Sequence, residues 1–173
     1  MATYQLPIIG WQAKPDTSGE CFPEPFAILA TNDAWDPLVF RFGISNAAQP
    51  TVRHGFYGIF TVPQNYTSAA IVMPMWTASL TSGNVVWDFD YRTVTGDDTT
   101  SLDQAGTEAA TTVTDAAPSA AFERNTPSIT QTDGNFAAGE TVEYFFARDG
   151  ADAADTMAGA ALLFELVFQY TGT

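Results

Sequence analysis

From Pro37 to the C-terminus, apolar residues recur with a period of two. Leu38, Phe40, Phe42 and Ile44 alternate with Val39, Arg41 and Gly43. Phe56, Gly58, Phe60 and Val62 share a face in the next run. Val85, Trp87, Phe89 and Tyr91 then line one side of a strand, with Asp88, Asp90 and Arg92 on the other. Side chains alternate across a strand, so this pattern sets one face on a core and the other in water. The apolar run Tyr66 to Trp76 is also β-prone, and Pro74 within it marks an edge or a bulge. Ser82-Gly83-Asn84, Asp133-Gly134-Asn135 and the acidic stretch Gly150 to Asp155 supply turns. Val142, Tyr144 and Phe146 alternate with Glu143 and Phe145. The final strand places Ala160, Leu162, Phe164, Leu166, Phe168 and Tyr170 on one face. Ala161, Leu163, Glu165, Val167 and Gln169 form its mixed other face, as expected of a central strand or of one meeting another subunit.

Residues 95–121 are rich in Thr, Ala and Asp. They read as a long loop with one edge strand at Glu108–Thr114, followed by a weaker strand at Pro127–Thr132. About eight strands over residues 37–173, with no convincing helix, predict an all-β fold: an antiparallel β-sandwich of the jelly-roll type. An immunoglobulin-like sandwich is the alternative. It suits the chain less, because Cys21 is the single cysteine and the usual inter-sheet pair cannot form.

Residues 1–36 differ from the rest. Pro7, Pro15, Pro23 and Pro25, with Gly10 and Gly19, predict an extended N-terminal arm. Tyr4, Leu6, Ile8, Ile9 and Trp11 make that arm apolar, so it needs a surface, either on its own domain or on a neighbour. With Trp35, which follows Asn32-Asp33 in a loop region, these residues are the protein-interface candidates.

Charge narrows the possible partners. Acids outnumber Lys plus Arg by 20 to 6 over 173 residues, a net charge of −14, so no basic stripe exists to displace the counterions of a nucleic acid. The same charge is repelled by an acidic membrane leaflet, and no apolar run approaches the ~20 residues of a membrane span. The N-terminus lacks the pattern of a signal peptide, and the lone cysteine fits folding in a reducing cytoplasm. The Asn65-Tyr66-Thr67 sequon is discounted on that ground. Only 15% of residues are charged while 13% are aromatic, a balance that hints at surface covered by something else.

No catalytic constellation stands out. His54 is the only histidine and reads as structural. Cys21, beside Glu20, reads as a packed thiol. Asp88 and Asp90 project on one face, as a glycosidase pair must, but same-face acids on a strand ordinarily solvate it and Arg92 lies next to them. Asp149, Asp152 and Asp155 sit in one loop without EF-hand spacing, and they read, like Asp97, Asp98 and Asp103, as solvated. Phosphate-loop, CxxC and HExxH motifs are absent, so neither a metal nor a cofactor is expected. Trp87 reads as core, whereas Trp35 is the better candidate for an exposed contact with protein or sugar.

One ordered set of motifs carries a resemblance. Leu38-Val39-Phe40-Arg41-Phe42 is followed by Phe60-Thr61-Val62-Pro63-Gln64-Asn65-Tyr66, then Trp76, Thr77-Ala78-Ser79 and Ser82-Gly83-Asn84-Val85-Val86-Trp87. Arg148-Asp149 and the strand from Ala160-Ala161-Leu162-Leu163 to Gln169-Tyr170 close the series. Over residues 37–173 this order resembles small jelly-roll structural proteins of tailed bacteriophages. The resemblance implies a non-enzymatic capsid decoration (cement) protein on the exterior of the virion, made in the host cytoplasm. Its implied partners are the major capsid protein and further copies of itself in a homotrimer. The alternatives are a tail, fibre or spike component contacting host surface glycans, or a carbohydrate-binding module.

Overall fold

The computed structural model describes residues 1–6, 12–13, 22–25, 37–43, 49–94 and 107–173. Among these, eleven strands form two antiparallel sheets. One sheet runs in the order β3 (Phe22–Pro25), β4 (Leu38–Phe42), β11 (Ala161–Gly172), β6 (Tyr66–Thr77), β9 (Ile129–Thr130). β1 (Ala2–Gln5) also joins it, pairing with β11 beyond the end of β4. The other sheet runs β2 (Gln12–Ala13), β5 (Arg53–Thr61), β10 (Thr141–Asp149), β7 (Asn84–Val94), β8 (Ala109–Ala116). The chain is thus an all-β sandwich of jelly-roll type, as its alternation predicts. The boundary expected at residues 36 and 37 falls at the margin of an undescribed segment. The described parts of the first 36 residues contribute β1, β2 and β3, paired with β11, β5 and β4.

The core lies between the sheets and is largely aromatic. Phe56 and Phe60 of β5, Trp87, Phe89 and Tyr91 of β7, and Val142, Tyr144 and Phe146 of β10 face inward. They meet Phe40, Phe42, Trp76, Leu163, Leu166 and Phe168 from the opposite sheet. The Trp87 indole stacks on Phe146 with centroids 5.2 Å apart and receives Trp76 edge-on at 5.6 Å. Such pairs add about 0.5–1.5 kcal/mol each beyond the area they bury.

Of three register shifts between β6 and β11, two bear on the side-chain pattern where simple alternation fails. In β11, Leu163 pairs with Trp76 while Glu165 pairs with Met75, so Phe164 is an extra residue. The inward set therefore changes parity, from Ala161 and Leu163 to Leu166, Phe168 and Tyr170. This corrects the single apolar face expected from Ala160 to Tyr170. Val167 and Leu162, on the outer side, are nonetheless buried.

The second bulge lies in β6. Gln169 pairs with Ile71 but Thr171 with Ser68, and Ala69 takes a left-handed φ of 58°. The Asp133 carboxylate accepts the Ala70 amide at 2.8 Å and also bonds the Ala69 amide. Those bonds hold Asp133 below the usual carboxylate range. Pro74 sits between the Val72–Ile129 pairing and the isolated bridge from Trp76 to Asn125. Its missing N–H faces that gap, so no ladder bond is lost there.

At one end of the sandwich, Arg148 points into the interior. Its Nε and Nη2 donate to the two Asp155 carboxylate oxygens at 2.8 and 2.7 Å. Nη1 and Nη2 also donate to the carbonyls of Gly159 and Met157. The acidic loop 150–160 is folded back on the sheet by this cation.

Candidate functional site

The five-stranded sheet has an outer face that departs from the polar pattern expected of it. Cross-strand register places Tyr57, Phe145 and Asp90 in one row, with Ile59, Glu143 and Arg92 beside it. On the other side the row is Gly55, Ala147 and Asp88. Tyr57 and Ile59 are 45% and 49% exposed, an apolar step on a strand face that alternation assigns to water. Phe145 is buried, its ring 5.0 Å from that of Tyr57.

Small residues make this arrangement possible. A Cβ on Gly55 would come within 2.5 Å of the Phe145 ring, so glycine lets the ring lie flat on β5. Arg53 crosses β10 above Phe145, its guanidinium carbon 5.1 Å from the ring centroid. Fully buried Ala147 lies between Arg53's strand and its partners on β7. Arg53 Nη2 donates to Asp90 Oδ2 at 2.8 Å. Its Nε lies 2.9 Å from Asp88 Oδ2, an ion-pair contact out of line for a hydrogen bond. Arg92 pairs with Glu143 across β7 and β10.

Asp88 was expected in water and is instead buried beneath Arg53. Desolvation raises its pKa to about 6, helped by the nearby Asp149 and Asp90 charges and opposed by Arg53. The face thus presents an exposed ring, a partly exposed guanidinium and the partly exposed carboxylates of Asp90 and Glu143 on three paired strands. It can stack an apolar ring face and exchange hydrogen bonds with hydroxyl groups beside it.

The structure distributes the other sequence candidates widely. Tyr4 is on β1, partly exposed, with its ring 6.4 Å from Phe60. Leu6 is fully buried in the core of its own chain. Ile8, Ile9, Trp11 and Trp35 lie outside the described residues, as do Cys21, Asp97, Asp98 and Asp103. Trp76 and Trp87 are core. His54 is buried at the start of β5, beside Arg148 in register. Asp88 and Asp90 are brought together by Arg53, whereas Asp155 is taken by Arg148. Asp149 and Asp152 each accept the amide of the residue two further on. No group of three acids, cysteines or histidines among the described residues could hold a metal ion. Asn65, the sequon residue, accepts the Tyr170 hydroxyl at 2.8 Å.

Tyr57, Ile59 and Arg53 of β5 and Phe145 of β10 become a group only through strand pairing. The signal was present: Tyr57 and Ile59 are apolar at positions whose parity is opposite to Phe56 and Phe60.

No protein-family model matches the chain, and no curated protein sequence matches it. Solved structures do. The chain aligns with an arabinose-bound α-L-arabinofuranosidase at a TM-score of 0.51 and 9% identity, over 95% of this chain and 24% of that one. It also aligns with a carbohydrate-binding module of Clostridium stercorarium solved with cellobiose, at a TM-score of 0.46 and 10% identity over 98% and 94% of the two chains. The enzymatically active domain of a bacteriophage CBA120 tailspike aligns at 0.49 and 9% identity, over 95% of this chain and 20% of that one. The chain therefore spans about a quarter of the arabinofuranosidase and a fifth of the tailspike domain. At 9% identity the arabinofuranosidase match bears on the fold alone, and agrees with the two-sheet sandwich. The expected kinship with capsid decoration proteins, and with it the major capsid protein as partner, is corrected: the match above a TM-score of 0.5 is to part of an arabinofuranosidase.

Proposed function

We propose that this chain is a non-catalytic carbohydrate-binding module whose ligand lies across the outer face of β5, β10 and β7. One observation carries the reading: the exposed Tyr57 ring stands in the same cross-strand row as Asp90, with Arg53 bound to that carboxylate. A pyranose offers one apolar C–H face and a rim of hydroxyls. An exposed ring beside planar charged groups is the matching surface. Strand pairing on both sides of β10 fixes these groups, so little freedom is lost on binding. The sandwich is shared with an enzyme solved with arabinose, which is in keeping with this reading.

The placement of Asp88 and Asp90 supports binding rather than turnover. A glycosidase needs an acid and a second carboxylate on opposite sides of the scissile bond. Here Asp88 and Asp90 both contact the same guanidinium from the same strand. Affinity electrophoresis through gels containing soluble polysaccharides tests the reading. The native chain is expected to be retarded by at least one polysaccharide, and Tyr57→Ala to migrate freely while keeping its β-sheet circular dichroism. Retardation unaffected by Tyr57→Ala would place any sugar site elsewhere.

A further inference from the structure

We propose that the glycan accepted by this face is uncharged, and that Asp90 and Glu143 enforce that choice. The inference rests on the carbohydrate reading above and names its ligand class. Among the described residues, Asp88, Asp90, Asp149 and Glu143 approach the face from β7 and β10, against two cations, Arg53 and Arg92. Both cations are already engaged: Arg53 by Asp88 and Asp90, Arg92 by Glu143. The whole chain adds to the same sign with a net charge of −14.

The chemistry of the exposed atoms points the same way. A carboxylate only accepts hydrogen bonds. Sugar hydroxyls can donate to it, but the carboxylate of a uronic acid or the oxygens of a sulfate ester cannot. Asp90, in the Tyr57 row, and Glu143, in the row beside it, keep part of their side chains open to solvent, where a ring stacked on Tyr57 would direct its hydroxyls. An acidic sugar placed there meets like charge, a juxtaposition that is strongly unfavourable, and among the described residues of the face both cations are already bound to carboxylates. The face is thus built to donate little and accept much, the complement of a neutral polyol.

Titration calorimetry of the full chain with two sets of oligosaccharides tests this. One set is neutral: β-glucan, xylan, arabinan and galactan fragments. The other is acidic: oligogalacturonate, alginate and sulfated galactan fragments. The best acidic ligand is expected to bind at least about tenfold more weakly than the best neutral one at low ionic strength. The gap should narrow when salt shortens the screening length to a few ångströms. Asp90→Asn and Glu143→Gln, made separately so that one unfolded variant does not decide the matter, should each narrow it at low salt. Acidic fragments binding as tightly as neutral ones, with binding abolished by Tyr57→Ala, would overturn the inference and leave the carbohydrate reading standing. No binding by either set would overturn the carbohydrate reading, and the inference with it.

Discussion

The Arg148 guanidinium and the Asp155 carboxylate meet in a two-point ion pair from which solvent is wholly excluded. The pair satisfies its remaining needs internally. Asp155 also accepts the Val86 amide and a Gln49 side-chain N–H, and Arg148 donates to backbone carbonyls of the loop it restrains. Removing one partner leaves a buried charge uncompensated. Asp155→Ala should therefore lower unfolding free energy by about 3–5 kcal/mol, read from urea denaturation. The double variant Arg148→Met, Asp155→Leu should cost clearly less than the single one. Equal costs would mean that the pair's geometry, rather than the stranded charge, dominates.

The Asp133 clamp on the β6 bulge gives a second expectation. Ala69 is held at φ 58°, where a Cβ is unfavourable and glycine is not. Ala69→Gly should raise stability by up to about 1 kcal/mol, despite glycine's greater freedom in the unfolded chain. Asp133→Ala should abolish that gain by freeing the bulge amides. Because Asp133 titrates below its ordinary range when folded, its contribution is present above the unfolded carboxylate pKa and lost as pH falls through the folded value. The native chain should thus lose stability under strong acid in a way that Asp133→Ala does not.

Asp88 behaves oppositely. Its folded pKa is raised from 3.8 to about 6, so the folded state holds this proton more tightly than the unfolded chain. Its effect on stability is most favourable below pH 4 and declines as pH rises towards 6. Unfolding free energies of native protein and Asp88→Asn, measured from pH 4 to 7, should converge at the acid end and separate in favour of Asn at the neutral end. A constant difference across that range would mean that the carboxylate does not titrate there.

Across the sandwich, the Trp76 indole N–H donates to Asp115 at 2.8 Å and Asn125 donates to the same oxygen at 3.2 Å. This links the edge strand β8 to β6 of the opposite sheet. Asp115→Ala leaves the buried indole N–H without its acceptor and should cost about 1–3 kcal/mol by thermal or chemical unfolding. Asp115→Asn, which keeps an acceptor oxygen, should recover most of the loss.

Most of the fold is legible in the sequence because burial of one strand face imposes a period of two. Val85, Trp87, Phe89 and Tyr91 are inward as their spacing predicts, and the edge strand expected near Glu108–Thr114 is β8. Alternation fails where a bulge inserts a residue, as at Phe164, because nothing local in Leu162–Glu165 marks the extra residue. It fails again at Asp88, whose burial comes from Arg53, a residue 35 positions away that reaches over β10. The candidate site was hidden for a related reason. Tyr57, Phe145 and Asp90 come from three strands, and only their pairing register makes them one row.

Binding of a panel of neutral polysaccharides by native protein, Tyr57→Ala and Leu38→Ala tests the central claim most directly. Leu38 is as exposed as Tyr57 but belongs to the other sheet. The account predicts binding by the native chain and by Leu38→Ala, with a loss of about tenfold or more in affinity for Tyr57→Ala at unchanged melting temperature. Equal affinities for all three, or no binding by any, would contradict it.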